Sequence, residues 1–207
     1  IDGNEYETVL IGDQLWMKEN LKVTHYRNGD EIPTRLDDNT WASTEEGAYA
    51  IYDDDPSNTE VYGNLYNWYA VDDSRGICPE GWHVPSDHEF KLLEKSLGMR
   101  NSDPNFLGYR VTNEGSKLAG MNDLWVDGIL KQNSEFGMSG FNALPAGCRF
   151  FRSGFSTNIG FIAYFWSSTE HYKSEDAYYR LLNWYNSGIS RNDYSKRNGF
   201  SVRCLKD

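Results

Sequence analysis

The sequence predicts an α+β fold of small twisted antiparallel sheets with about two helices and long loops. Nineteen Gly, together with heavy use of Asn and Ser, favour turns over long regular elements. Apolar residues seldom recur at helical spacing for long, so short strands are expected to outnumber helices. The chain has 207 residues, 39% of them hydrophobic and 15% aromatic, enough for one sizeable core; the expected organisation is a single domain over 1–207.

The opening "YETVLIGDQLWMKENL" reads as two short strands around a Gly12-Asp13 turn, with Val9, Ile11, Leu15 and Met17 as apolar candidates. Residues 27–60 look loop-like, marked by Pro33, Pro56 and the acidic run Asp53 to Asp55. The spacing of that run fits no calcium motif, and it reads as a solvated loop. In "VYGNLYNWYAV", Tyr62, Leu65, Tyr66 and Tyr69 fall at helical spacing and predict a short buried helix over 61–71. The clearest helix lies in "VPSDHEFKLLEKSLG". Ser86 and Glu89 form a capping box, Phe90, Leu93 and Leu97 a stripe, and Gly98 a stop.

Residues 99–140 are irregular, anchored by Leu118, Leu124, Trp125 and Ile129. Short strands return around 141–144, 161–167, 178–182 and 200–205. In the last of these, Phe200, Val202 and Cys204 alternate with Ser201 and Arg203, a period of two that marks one buried face. The stretch before it, "NWYNSGISRNDYS" over 183–195, has no clean period and is expected on short strands and turns.

A net charge of −11 disfavours nucleic acid and anionic membrane as partners. The charge is uneven, however: residues 148–204 hold 8 of the 20 Lys and Arg but 4 of the 31 Asp and Glu. The same window holds 14 of the 31 aromatic residues, so a mildly basic, aromatic quarter closes an acidic body. No run approaches the roughly 18 apolar residues of a membrane span. The start at Ile1 lacks the features of a signal peptide and reads as a mature or trimmed domain.

Three Cys leave one unpaired if two pair. A bridge from Cys78 to Cys204 would tie a mid-chain loop to the C-terminal strand, with Cys148 free; the alternative is three buried thiols acting as small apolar residues. His25, His83, His88 and His171 show no metal-site spacing, so no metal or other cofactor is expected. Nucleophile-elbow, P-loop and dinucleotide patterns are missing from the sequence, which reads as non-catalytic.

Six strings, "IDGNEYETVLIGDQLWMKENL", "YGNLYNWYAV", "CPEGWHVPSDHEF", "GFNALPAGCR", "FWSSTE" and "NGFSVRC", occur in the order found in the Fibrobacter succinogenes major paralogous domain family. The chain resembles that family along essentially all of its length. The resemblance implies a C-type lectin-like fold related to that of the formylglycine-generating enzymes, in exported proteins of Bacteroidetes and relatives. "AGCR" at 146–149 departs from the family's usual Gly-Gly, which agrees with Cys148 as the unpaired thiol. Neither the redox Cys of the formylglycine-generating enzymes nor the calcium motifs of sugar-binding C-type lectins are present, so fold kinship transfers neither activity.

Some members of this family are similar to the variable proteins of diversity-generating retroelements, in which adenines of Asn codons are mutagenised within a fixed frame. That resemblance implies a variable ligand-binding region over 148–204. Trp166, Ser167, Ser168, Thr169, Glu170, Ala177, Arg180, Arg191, Lys196 and "GFSVRC" read as frame. Tyr172, Tyr179, Leu181, Tyr185, Gly188, Ser190, Asn192, Asp193, Tyr194 and Ser195 read as replaced positions, with Arg152, Phe155, Phe161 and Tyr164 as further candidates. All are residues that an Asn codon with a retained pyrimidine third base can reach. The function implied is cell-surface adhesion to a protein or glycan ligand on another cell, phage or host surface, at a pilus tip or on a lipoprotein, with pilus subunits as further partners. The alternative is a fixed carbohydrate-binding domain in which Trp184 and Tyr185 stack on sugar rings.

Overall fold

The computed structural model describes residues 1–100, 105–110, 112–152 and 156–207. An N-terminal hairpin forms where its turn residues predict, pairing β1 (Thr8–Ile11) with β2 (Gln14–Met17) across Gly12 at φ 59°. Ile11 and Met17 are buried, whereas Val9 and Leu15 are half-buried. The deepest side chain of the hairpin is one that alternation missed: Trp16, fully buried against Phe90 and Phe141.

Residues 27–60 hold more structure than expected: α1 (Asp38–Ser43), β3 (Tyr49–Ala50), a 3-10 turn at Tyr52–Asp54 and most of α2 (Pro56–Tyr62). The acidic run is backbone chemistry. Asp53 and Asp54 take positive φ, and the Asp55 carboxylate caps α2 by accepting the Ser57 N–H, with Pro56 at the first helical position. The single helix expected over 61–71 is split. Gly63, at φ 74°, ends α2 so close to Leu21 that a Cβ there would lie 2.8 Å from its carbonyl oxygen. β4 (Leu65–Tyr66) then pairs with β3, and Asn67 caps α3 (Trp68–Val71) by accepting the Ala70 N–H.

β5 (Trp82–His83) precedes α4 (Asp87–Ser96), which carries the capping box read from the sequence: the Ser86 N–H donates to the Glu89 carboxylate, and the Glu89 N–H to Ser86 Oγ. Beyond β6 (Gly108–Tyr109), α5 (Glu114–Leu118), a 3-10 turn at Asn122–Leu124 and α6 (Ile129–Gln132) cover one side of the molecule. Leu118 and Trp125 are buried as anchors, Leu124 is half-buried, and Ile129 faces solvent while Leu130 takes the core position. Residues 141–144 contribute a single bridge, Ala143 to Ala119, rather than a strand.

The second half of the chain builds most of the main sheet from β7 (Ala146–Arg149), β8 (Ser156–Ile159), β9 (Ile162–Glu170), β10 (Asp176–Asn183) and β11 (Asn186–Ser195), in the order β6-β11-β10-β9-β7-β8. A four-stranded sheet, β1-β2-β12-β5, takes in the C-terminal β12 (Leu205–Lys206). Cys78 and Cys204 form a disulfide and Cys148 is a buried free thiol. No helix among the described residues is long and apolar enough to cross a membrane.

The two C-terminal segments exchange the roles that periodicity assigns them. The aperiodic "NSGISRNDYS" is the longest strand among the described residues, and the alternating Phe200 to Cys204 runs through the core held by isolated bridges to β4 and β9. All five residues of that run are at most 1% exposed, so it has two buried faces rather than one. Arg203 is accommodated there by carbonyls: Nη2 donates to Asn142 O at 2.9 Å, Nη1 also to Phe141 O, and Nε to Asn20 Oδ1 at 3.1 Å.

Candidate ligand-binding face

Antiparallel partners in register point to the same side of a sheet, so the pairings sort the side chains of β9, β10 and β11. Tyr179 pairs with Trp166 and Asn192, Leu181 with Tyr164 and Ser190, Ala177 with Tyr194, and Ser190 with Tyr109 of β6. These form one face, rich in tyrosine. Arg180 pairs with Phe165 and Arg191, Leu182 with Ala163 and Ile189, and Tyr178 with Asp193, forming the other face.

The second face is anchored to α4. Arg180 donates from Nε to Glu94 Oε1 at 2.5 Å and from Nη1 to Asp87 Oδ1 at 2.8 Å; Arg191 grips Asp87 through two hydrogen bonds of 2.7 and 2.9 Å. Arg110 forms a two-pronged pair with Glu94, both bonds 2.8 Å. Burial works to raise the Asp87 carboxyl, but the Arg191 hydrogen bonds, the Arg180 charge and Lys91 overcome it and hold the group well below the usual carboxylate range. This explains the missing period of β11: its buried face presents Ile189 and then an ion-paired Arg191, which hydropathy scores as opposites.

The tyrosine face is part core and part rim. Tyr164 stacks on Phe200 at 4.7 Å, Tyr179 lies 5.1 Å from the same ring, and Trp166 lies 4.3 Å from it. Because the C-terminal run lies against this face, Tyr164, Tyr179 and Leu181 are buried in the first core cluster; Ser190 is buried where β11 pairs with β6, and Gly188 where a Cβ would collide with the Arg110 carbonyl oxygen. The expectation that these five lie at a ligand surface is corrected on that account. Burial pushes the Tyr179 hydroxyl up to about 12, against a lowering contact with Asn192.

The remaining expected residues divide by location. Tyr194 is exposed beside Tyr179 and Phe150, and Asn192 is half-buried, its amide nitrogen donating to Ser190 Oγ. Arg152, exposed, shares with Tyr194 and Ser195 a hollow of about 440 Å³ that Asp193, Asp176 and Arg197 also line. At the opposite end of the sheet, Tyr185 and Phe161 are exposed and belong to a chain of ring contacts, Phe161 to Trp184 to Tyr185 to Tyr109, each 5.9 to 6.1 Å. Tyr172 is 85% exposed in the β9–β10 connection, its ring centroid 4.0 Å from that of His171. Asp193 and Ser195 are half-buried on the face opposite Tyr194, and Phe155 lies outside the described residues.

Sequence reading missed Tyr109, which only the β6–β11 register brings beside Tyr185. It also missed a cluster of His171, Asp176 and Asp193, whose potential ligand atoms all lie within 4.8 Å of one another. His171 and Asp176 flank the β9–β10 connection and Asp193 sits across the sheet on β11, so no local spacing could reveal them.

Fold and site together define a disulfide-tied α+β domain whose central sheet is bolted to a helix on one side and presents tyrosines on the other. The chain belongs to the Fibrobacter succinogenes major domain family, whose model matches residues 9–206. No curated protein and no solved structure matches it.

Proposed function

We propose that this protein is a non-catalytic ligand-binding module of an exported cell-surface protein, built on a C-type lectin-like frame and engaging a protein or glycan through the rim of the tyrosine face. The observation that carries the reading is the sorting of alternate residues along β11. Ile189 and Arg191 lock the strand to the core and to α4, while Tyr194 comes to the surface beside Arg152 and Asn192 is half-buried on the same face. Of the frame residues, Trp166, Ser167, Ala177, Arg180, Arg191 and Lys196 are buried, Ser168 and Thr169 half-buried and Glu170 exposed, and the exposed candidates are Tyr, Phe and Arg beside half-buried Asn, Asp and Ser. Tyrosine supplies stiff amphipathic contact area, and small polar residues supply adaptable hydrogen bonds, the composition of antibody combining loops.

In this reading the contact residues are Arg152, Asn192 and Tyr194 at one end, where Asp193 and Ser195 reach the same hollow from the other face of β11, and Phe161, Tyr185 and Tyr109 at the other. Diversification would act on the rim, where side chains change with small effects on stability. A fixed carbohydrate site is the second reading, favoured by the Trp184–Tyr185–Tyr109 ring contacts, which offer faces for a sugar to stack on.

A glycan and surface-protein panel probed with the domain tests the proposal. Tyr185→Ala and Tyr194→Ala are expected to abolish capture without moving thermal unfolding. Tyr179→Ala is expected to lower stability by about 3 kcal/mol, because its ring is core. Undiminished capture by both rim variants would remove this surface from consideration. Sequencing the coding region across a population of the source organism separates the two readings. Changes concentrated at Tyr185 and 192–195, with Trp166, Arg180 and Phe200 constant, mark a diversified receptor; sparse, even change marks a fixed site.

A further inference from the structure

His171 is 5% exposed, yet its Nε2 makes no hydrogen bond among the described residues and lies 3.8 Å from Asp193 Oδ1. The neighbouring carboxylates are equally underused. Asp176 has no ion pair or side-chain hydrogen bond among the described residues, and Asp193 has only that long approach to His171. On α4 and β9, by contrast, Asp87, Glu94 and Glu170 are each matched to Arg or Lys. A buried imidazole nitrogen without a hydrogen bond, close to two half-buried carboxylates that no Arg or Lys matches, is a set of donors open to a cation.

We propose that His171, Asp176 and Asp193 form a binding site for a divalent cation of the zinc class. One imidazole nitrogen with two carboxylate oxygens suits zinc and its first-row neighbours; calcium prefers a larger set made wholly of oxygens. Tetrahedral zinc at about 2.0 to 2.2 Å from its donors sets them roughly 3.4 Å apart, so the side chains close by about an ångström on binding. Coordination through Nε2 places the ring proton on Nδ1 and displaces the Lys173 N–H that approaches it at 3.4 Å, a long and weak contact. The cation neutralises the excess negative charge and clips the β9–β10 connection to β11. With three protein donors the coordination shell stays open, and Asp176 and Asp193 line the hollow that holds Arg152 and Tyr194, so an incoming carboxylate or hydroxyl can complete it. The metal site shares Asp193 with the contact set proposed above but is argued from its own geometry, so failure of either leaves the other standing.

The test is titration of the metal-free domain with cobalt(II), read by its visible absorption, and with zinc, read by calorimetry. Wild type is expected to bind one ion, as is His83→Gln, a control that removes the other imidazole held between two carboxylates, Glu89 and Asp207. His171→Ala is expected to lose the tetrahedral cobalt spectrum and at least about tenfold in zinc affinity. Asp193→Asn, nearly isosteric, carries the same expectation should His171→Ala lower thermal stability in EDTA. Absence of one-to-one binding, undiminished affinity in the His171 and Asp193 variants, loss of binding in His83→Gln, or preference for calcium over zinc would each overturn the proposal.

Discussion

Burial pushes the Cys148 thiol up to about 12, and contacts with Tyr164 and Asn158 offset it only in part. A thiol so disfavoured as thiolate and enclosed under β8 is a packing group. Alkylation with iodoacetamide at about pH 8 is therefore expected to leave Cys148 unmodified in the folded protein and to label it once denaturant opens the core. Rapid labelling of the native form, followed by intact mass, would show that solvent reaches it. At this scale the sequence was informative about composition and misleading about place. Tyr164, Tyr179, Tyr185 and Tyr194 are the same residue with two fates, because a phenol can pack in a core or present itself at an interface. Only the C-terminal run lying on the face decides between them.

Helix α4 shows how an element transmits its requirements to a sheet. Its capping box, apolar stripe and terminal Gly98 were legible because they lie within one continuous segment. Its buried acids were not, since their partners Arg180, Arg191 and Arg110 come from distant strands and loops. The Asp87 pKa is lower folded than unfolded, so its stabilisation is complete above the usual carboxylate range and is lost as pH falls toward the folded value. Asp87→Asn is expected to cost about 3 to 5 kcal/mol at neutral pH, because Arg191 stays buried without its ion-pair partner and Arg180 keeps only Glu94. Urea unfolding should show the gap between variant and wild type narrowing below about pH 4. A gap that is constant with pH would mean that the carboxylate's charge contributes nothing. The split of 61–71 follows a similar logic: spacing suggested one helix, whereas Gly63 and Asn67 break it to fit β4 between two short helices.

On the scale of the whole molecule, the Cys78–Cys204 disulfide spans 126 residues of sequence and joins the loop before β5 to the segment before β12. Replacing both cysteines with Ser is expected to lower the unfolding free energy by about 4 to 5 kcal/mol in the chain-entropy model, read as a lower urea midpoint. An unchanged midpoint would show that the sheet β1-β2-β12-β5 already fixes those ends. The α+β class was legible from turn residues and short apolar runs. The strand order was not, because it depends on where the C-terminal run enters. That run leads into β12 of the four-stranded sheet and covers Tyr164 and Tyr179, so one short segment closes two parts of the molecule at once. A chain in which this segment is not yet in place exposes Tyr164, Trp166 and Tyr179 together, and that uncovered aromatic surface makes the unfinished domain prone to aggregate.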